Sequence, residues 1–319
     1  MSVLVTGGAG YIGSHVSRLL QQQGQKVVIA DNLSSGLVSR IDNATLLKVE
    51  LSSAESVGQL ESAIREHGVT KVIHLAAQKQ VGVSVEQPEW YFQQNITGLA
   101  NLLTAMRNTN VMQIVFSSSA ATYGMPNVNL VDEDVLCAPI NPYGQTKLIG
   151  EWMIANAGTA WGLRGASLRY FNVAGTGWPE LADTAVMNLV PIVFAAIKAG
   201  KSPKVFGVDY PTPDGSCIRD YVHVLDLAEA HISALDYLDR DDRAHSVFNV
   251  GTGTGSSVLE VLAEIKRVSG IAFEIDVVGR RAGDPPALSA DVSRIEKTLG
   301  WAAKRGLTEI VESAWNAAK

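Results

Sequence analysis

The sequence predicts an α/β fold, a doubly wound parallel sheet with a smaller C-terminal lobe. Three observations predict it. Short β-branched runs alternate with longer stretches of helical spacing through the first half of the chain. Those runs are apolar throughout, as strands buried on both faces require. A glycine-rich turn separates the first run from the first helical stretch.

In order, the expected strands are VLVTG (3–7), KVVIAD (26–31), LLKVEL (46–51), KVIHLAA (71–77) and QIVFSSS (113–119). Helical spacing fills 12–23, 54–67 and 88–109, and a further helix at 142–161 leads to the strand RGASLRYFN (164–172). Strand, helix, strand in sequence argues for parallel pairing. After Asn172, segments rich in Gly, Pro and Asp at 174–183, 207–216 and 279–286 separate shorter elements. We therefore expect a first domain at 1–172 and a lobe at 173–319. The segment at about 220–250, with SVFNVGTG (246–253) at its end, is expected to return to the main sheet. The charged run LDRDDRAH (238–245) reads as a solvated loop or helix end.

At 319 residues, with 46% hydrophobic and 18% charged, the chain can bury a large core and exceeds the usual single-core size. Its net charge of −6, without a basic stripe, argues against nucleic acid as a general partner. Cys137 and Cys217 are too isolated for a disulfide framework, which suits a reducing cytoplasm. The six histidines lack ligand spacing, so no metal is expected. The apolar N-terminus has no basic flank and is broken by glycines, so it reads as strand, turn and helix rather than a signal peptide. No apolar run is long enough to span a bilayer.

VTGGAGYIGSH places Gly7, Gly10 and Gly13 between the first strand and the first helix, and reads from Gly8 as G-x-G-x-x-G. Such a turn lets the backbone approach a pyrophosphate at the helix N-terminus, the signature of a Rossmann-type dinucleotide site. Asp31 ends the second strand, 18 residues past Gly13. An acid there accepts bonds from ribose hydroxyls and repels a 2′-phosphate, and NLSSG after it contains no Arg, so NAD is expected over NADP.

NPYGQTK (141–147) opens a helix, with Asn141 as cap and Pro142 in the first turn. Tyr143 and Lys147, four residues apart, share one face. A phenol with a pKa near ~10 is a poor base at neutral pH. A cation about 5 Å away contributes roughly 3 kcal/mol, or about 2 pKa units, at an effective dielectric of about 20. Lys147 and the positive nicotinamide ring together can thereby make Tyr143 a base that takes the proton of a hydroxyl whose carbon gives up a hydride, and Ser119, the third serine of FSSSAATYG, can bond the same oxygen.

With these motifs the chain resembles the extended short-chain dehydrogenase/reductase superfamily and, within it, the UDP-glucose 4-epimerase (UDP-galactose 4-epimerase) family. DNLSSG, HLAAQKQVGVSVEQP, LRYFNVAG, RDYVHVLDLA, FNVGTG and RRAGDPPALSAD extend the likeness along nearly the whole chain. The resemblance implies a retained NAD and a UDP-sugar substrate. Tyr143 would take the 4-hydroxyl proton while hydride leaves C4, and the 4-keto sugar would turn and receive the hydride on its other face. Ser119 would orient or shuttle the proton, and Lys147 would also hold the nicotinamide ribose.

By the same resemblance Tyr11 and Ile12 line the cofactor with the glycines, and Asp31 and Asn32 bind the adenosine ribose. Glu50 and Leu51 approach the adenine, Lys79 and Asn95 the inner half of the cofactor, and Tyr170 its nicotinamide end. Asn172 would touch the substrate near sugar and phosphates, Asn188 and Leu189 would lie along the nucleotide, and Phe206 would face uracil. Arg219 and Arg281 would serve the diphosphate and Asp284 the ribose.

The chain departs from the family pattern at three places. Glu50 stands where the family usually has Asp. Segment 174–189 is shorter and less acidic than in the best-known epimerases. Leu288 stands where an aromatic side chain excludes N-acetylated sugars and a small residue admits them.

Epimerases of UDP-N-acetylglucosamine, UDP-xylose or UDP-glucuronate are alternative readings. A dehydratase needs an acid after the active-site serine, where this chain has Ala120 and Ala121. A non-catalytic NAD-binding regulator would usually have lost the Tyr or the Lys. The helices at 88–109 and 142–161 are where related proteins pair, so a homodimer is expected.

Overall fold

The computed structural model describes residues 1–241, 243–281 and 283–319; Asp242, within the charged run, and Ala282, within RRAGDPPALSAD, lie outside the described residues. Seven strands form the main sheet: β1 Ser2–Thr6, β2 Lys26–Asp31, β3 Thr45–Lys48, β4 Val69–His74, β5 Gln113–Ser119, β6 Arg164–Tyr170 and β7 His245–Val250. Their spatial order is β3-β2-β1-β4-β5-β6-β7. β1 pairs in parallel with β2 and β4, β2 with β3, and β4 with β5. Chain order reverses between β1 and β4, and the carboxyl ends of strands at such a switch point form a ligand crevice.

The intervening helices include α1 Tyr11–Gln22, α2 Ser56–His67, α3 Gly98–Asn108 and α4 Pro142–Trp161. Leu60 and Ile64 of α2, Leu102 and Met106 of α3 and Ile154 of α4 pack with Leu4, Val72 and Ile114 of the sheet in one buried cluster. Each fully buried aliphatic side chain contributes roughly 1.5–3 kcal/mol. The single helix expected at 88–109 is instead Pro88–Phe92, a wide π-turn at Gln93–Thr97, and α3. The bulge accommodates Asn95, whose amide turns inward to bond a neighbouring loop and α4, described below.

The chain forms two compact units: 1–124, 139–169 and 228–248 make up the first, and 125–138, 170–227 and 249–319 the second. The stretch 125–138, inside the first domain expected at 1–172, falls in the second unit. Leu130–Val131 pairs in parallel with Ala287–Ala290, and the Asn249 amide donates to the Val131 carbonyl at 2.7 Å. A two-residue strand with such distant partners carries no periodicity to read. The second unit has its own core, in which Phe194 meets Trp315 edge-on at 5.2 Å among Val261, Leu262, Ile265 and Ile310.

Candidate active site

The glycine turn is a backbone cradle. Gly7 has φ +71°, and a Cβ on Gly13 would sit 2.2 Å from the Gly7 carbonyl oxygen. The Gly10 carbonyl accepts the Ser14 N–H at 3.0 Å, starting α1, and no side chain caps that helix. Its first N–H groups and positive dipole end thus suit an anion, and a dinucleotide pyrophosphate fits where side chains are excluded. Tyr11 is buried and Ile12 half-buried on the first turn of α1.

Asp31 is buried at the end of β2; its carboxylate accepts the Ala9 N–H at 3.0 Å and the Leu33 N–H at 2.8 Å. A carboxylate offers about four acceptor positions, so two hydroxyls can still bind. Asn32 donates to Glu50 at 2.8 Å, and Glu50 also accepts from the Ser52 hydroxyl at 2.9 Å. Burial pushes the Glu50 carboxyl up, but these bonds outweigh it and hold the group below the usual range. The departure from Asp is accommodated by this local network. Leu51 is buried beside it.

Lys79 is exposed in the loop after β4. The Asn95 amide accepts the Gln78 N–H at 2.8 Å and donates to the Gln78 carbonyl at 3.1 Å and the Thr146 hydroxyl at 3.0 Å. It is a strut that holds the loop bearing Lys79 against α4. Tyr170 is half-buried at the end of β6.

The Asn141 side chain accepts the Gly144 N–H at 2.9 Å, capping α4 as expected. A Cβ on Gly144 would lie 2.5 Å from the Ala121 carbonyl oxygen, so the helix starts hard against the turn that follows β5. This contact brings together Ser119, Tyr143 and Lys147, all buried. The Ser119 hydroxyl accepts the Ala121 N–H at 3.1 Å, which leaves its proton for the Tyr143 oxygen. Lys147 donates to the Ser117 carbonyl at 2.7 Å and lies 5.9 Å from the Tyr143 ring centre.

Charge here runs against the simple expectation. Burial pushes the Tyr143 phenol up to about 12, against the downward pull of the Ser119 bond. Burial also brings Lys147 down to about 7, partly opposed by Glu151. The sequence reading weighed the ammonium together with the positive nicotinamide ring but not burial; desolvation disfavours both charged forms, and a lysine near 7 is only half-charged at neutral pH.

In the second unit, Arg219 donates to the carbonyls of Ile218 (2.8 Å) and Pro285 (2.7 Å) and pairs with Asp284 at 3.5 Å. Leu288 stands opposite Arg219 in the parallel register. Arg281 lies over the Phe206 ring, 4.3 Å from its centre. Asn188 precedes the helix Leu189–Lys198 and donates to Asp183 at 3.0 Å, while Leu189 packs against the core and Asn172 is exposed. Arg219, Asp284 and Leu288 thus form one group, and Phe206 and Arg281 another.

A buried group absent from the sequence reading is Ser118, Glu151, Arg169 and Tyr123, in which Arg169 forks onto Glu151. Glu151 falls eight residues after Tyr143, on the face of Tyr143 and Lys147, so that spacing was the available signal. Arg169 and Tyr123 carried none.

This arrangement defines a class: proteins that hold a dinucleotide at a strand-helix turn and move a proton at a buried phenol. The model of the NAD dependent epimerase/dehydratase family matches residues 3–251, and the chain belongs to that family. Among curated relatives, a UDP-glucose 4-epimerase of Halalkalibacterium halodurans is 41% identical over 99% of this chain and 95% of its own. A crystal structure of the Stenotrophomonas maltophila UDP-glucose-4-epimerase with bound NAD and formylated UDP-arabinopyranose superposes with a TM-score of 0.94 at 38% identity, covering 100% of this chain and 98% of that one. The Bifidobacterium longum UDP-glucose 4-epimerase, in complex with NAD+ and UDP, gives a TM-score of 0.92 at 33% identity over 99% of this chain and 98% of that one.

Proposed function

We infer that the chain is an NAD-dependent 4-epimerase of a UDP-hexose, interconverting UDP-galactose and UDP-glucose through a transient 4-keto sugar. The observation that carries this is the buried Ser119, Tyr143 and Lys147 set, in a chain about 40% identical to UDP-glucose 4-epimerases along its whole length. Bound NAD supplies a positively charged ring that takes the hydride from C4 and returns it to the other face. Tyr143 accepts and then returns the proton at the sugar 4-oxygen. Ser119 donates to that oxygen or to the phenolate, and Lys147 opposes the negative charge on the phenolate. The glycine turn, Tyr11, Ile12, Asp31, Asn32, Leu51 and Tyr170 hold the cofactor, with Asn95 positioning the Lys79 loop. Arg219 and Arg281 meet the diphosphate, Phe206 stacks on uracil and Asp284 bonds the ribose. Asn172, Asn188, Leu189 and Leu288 line the rest of the substrate.

The test is incubation of purified protein with UDP-galactose, with no NAD added, followed by NMR of the sugar protons. UDP-glucose is expected to accumulate to a constant ratio; intact UDP-galactose with a protein that carries NAD would refute the substrate. We further propose a homodimer, supported by exposed Trp90 and Trp152 on the helices Pro88–Phe92 and α4. Sedimentation at micromolar concentration should give about twice the 34.0 kDa chain mass, and a 34.0 kDa species alone would sink the dimer. Among the described residues no helix is long and apolar enough to cross a membrane. A cytoplasmic location is supported by a cysteine content of two, too low for the disulfide framework of a secreted protein. Recovery of the protein in a membrane or secreted fraction would overturn it.

A further inference from the structure

Three consecutive serines end β5, and each is tied to α4. The Ser117 carbonyl accepts from Lys147 at 2.7 Å, the Ser118 hydroxyl donates to Glu151 at 2.5 Å, and the Ser119 hydroxyl bonds the Tyr143 phenol. Tyr143, Lys147 and Glu151 recur every four residues, so one helix face presents all three. Glu151 is 3% exposed and is gripped from β6 by Arg169, whose Nε and Nη2 donate to its two oxygens at 2.9 and 2.6 Å. The Nη1 of Arg169 donates to the Tyr123 hydroxyl at 3.0 Å, and Tyr123 follows the short 3-10 turn Ala120–Thr122 that starts at Ser119. One hydrogen-bonded frame therefore holds the chain on both sides of Ser119 and the helix one turn beyond Lys147.

We propose that Glu151 is a positioning residue of the proton-transfer centre. Through Ser118 and Arg169 it sets the separation of Ser119 and Tyr143, and it supplies the anion one turn from the Lys147 ammonium. The inference rests on the reading of Tyr143 and Lys147 as the proton-transfer pair. A bidentate buried pair is rigid, and the carboxylate is compensated by the guanidinium it contacts while still acting on Lys147 one turn away. Other groups face the same centre. From β4, His74 is kept neutral, down to about 3, by burial and by Lys147. His231, on the helix Val224–Tyr237, bonds the Ser117 hydroxyl at 2.7 Å. His245 of β7 bonds Ser167 at 2.8 Å, is held low by burial, and feels both Glu151 and Arg169. Tyr91, on Pro88–Phe92, acts on Tyr143. Among these groups Glu151 is the carboxylate, and it pushes Lys147 upward against burial.

The sign follows. Glu151→Gln removes the anion and leaves the Arg169 cation, so Lys147 loses its proton at lower pH. The alkaline limb of kcat should move down by about one pH unit, while Glu151→Asp, which keeps the charge, should hold it near the parent position. In [13Cε]lysine NMR, the signal missing from Lys147→Met should titrate lower by the same amount in Glu151→Gln. A lone buried Arg169 can prevent folding. The doubly neutral Glu151→Gln/Arg169→Gln is therefore measured alongside, and its limb should also move down. Ser118→Ala, which leaves every charge in place, should lower kcat about tenfold at unchanged KM. An unmoved limb and lysine titration in a folded, NAD-retaining Gln variant would overturn the electrostatic role, and a parental kcat in Ser118→Ala would overturn the positioning. Activity surviving in Tyr143→Phe would instead overturn the reading beneath both.

Discussion

Tyr143→Phe should lower kcat by about 10²–10⁴-fold while leaving the fold and the retained NAD in place. The substitution removes one oxygen from a buried ring whose backbone is fixed by the Asn141 cap and by the tight seat of α4 on the Ala121 carbonyl. The Ser119 hydroxyl loses one partner, a cost on the order of 0.5–1.5 kcal/mol, too little to unfold a domain of this size. The side chains proposed to hold the nucleotide lie in the second unit, so KM should change by less than threefold or so. NMR time courses, NAD content and thermal denaturation on the same preparation separate these effects. Turnover within tenfold of the parent would show that another group moves the proton.

Gly13→Ala should deprive the protein of its cofactor. The added carbon would lie 2.2 Å from the Gly7 carbonyl oxygen and 2.8 Å from the Gly8 Cα, so the turn must open or α1 must shift. Overpacking of this kind costs about 1–3 kcal/mol, and it falls on the backbone that would meet the pyrophosphate. Retained NAD, released by denaturation and measured by its absorbance, should drop at least tenfold, which corresponds to about 1.4 kcal/mol of lost affinity. Gly58→Ala, in α2 with nothing within 4 Å of its new carbon, is the matching control and should leave NAD content unchanged. A full complement of NAD in Gly13→Ala would remove the glycine turn from the cofactor site.

The sheet was legible because buried parallel strands are written as continuous apolar runs, and five of them fall where VLVTG, KVVIAD, LLKVEL, KVIHLAA and QIVFSSS predict. The start of α4 was legible for a chemical reason: Asn141, Pro142, Tyr143 and Lys147 are local in sequence, so cap and shared face need no tertiary knowledge. What escaped depends on distant partners. The strand Leu130–Val131 exists through Ala287–Ala290, and the π-turn at Asn95 through Gln78 and Thr146. The electrostatics of Tyr143 also escaped, since the Lys147 spacing is written in the sequence but the depth of burial is not. The bonds by which the Asn95 amide joins the Gln78 loop to Thr146 of α4 carried no local signal either.

The pairing of Ser289 with Leu130 has a consequence for how the protein is made. A strand near the middle of the chain waits for a partner 159 residues downstream, and the chain passes between the two units five times before it ends. On the ribosome, 125–138 therefore emerges long before the strand that will pair with it. Contacts of such long sequence separation form late and slowly. Neither unit corresponds to a stretch that could be cut out and expressed, and a chain stopped before Ala287 would leave the Leu130–Val131 edge unpaired, a template for association between nascent copies.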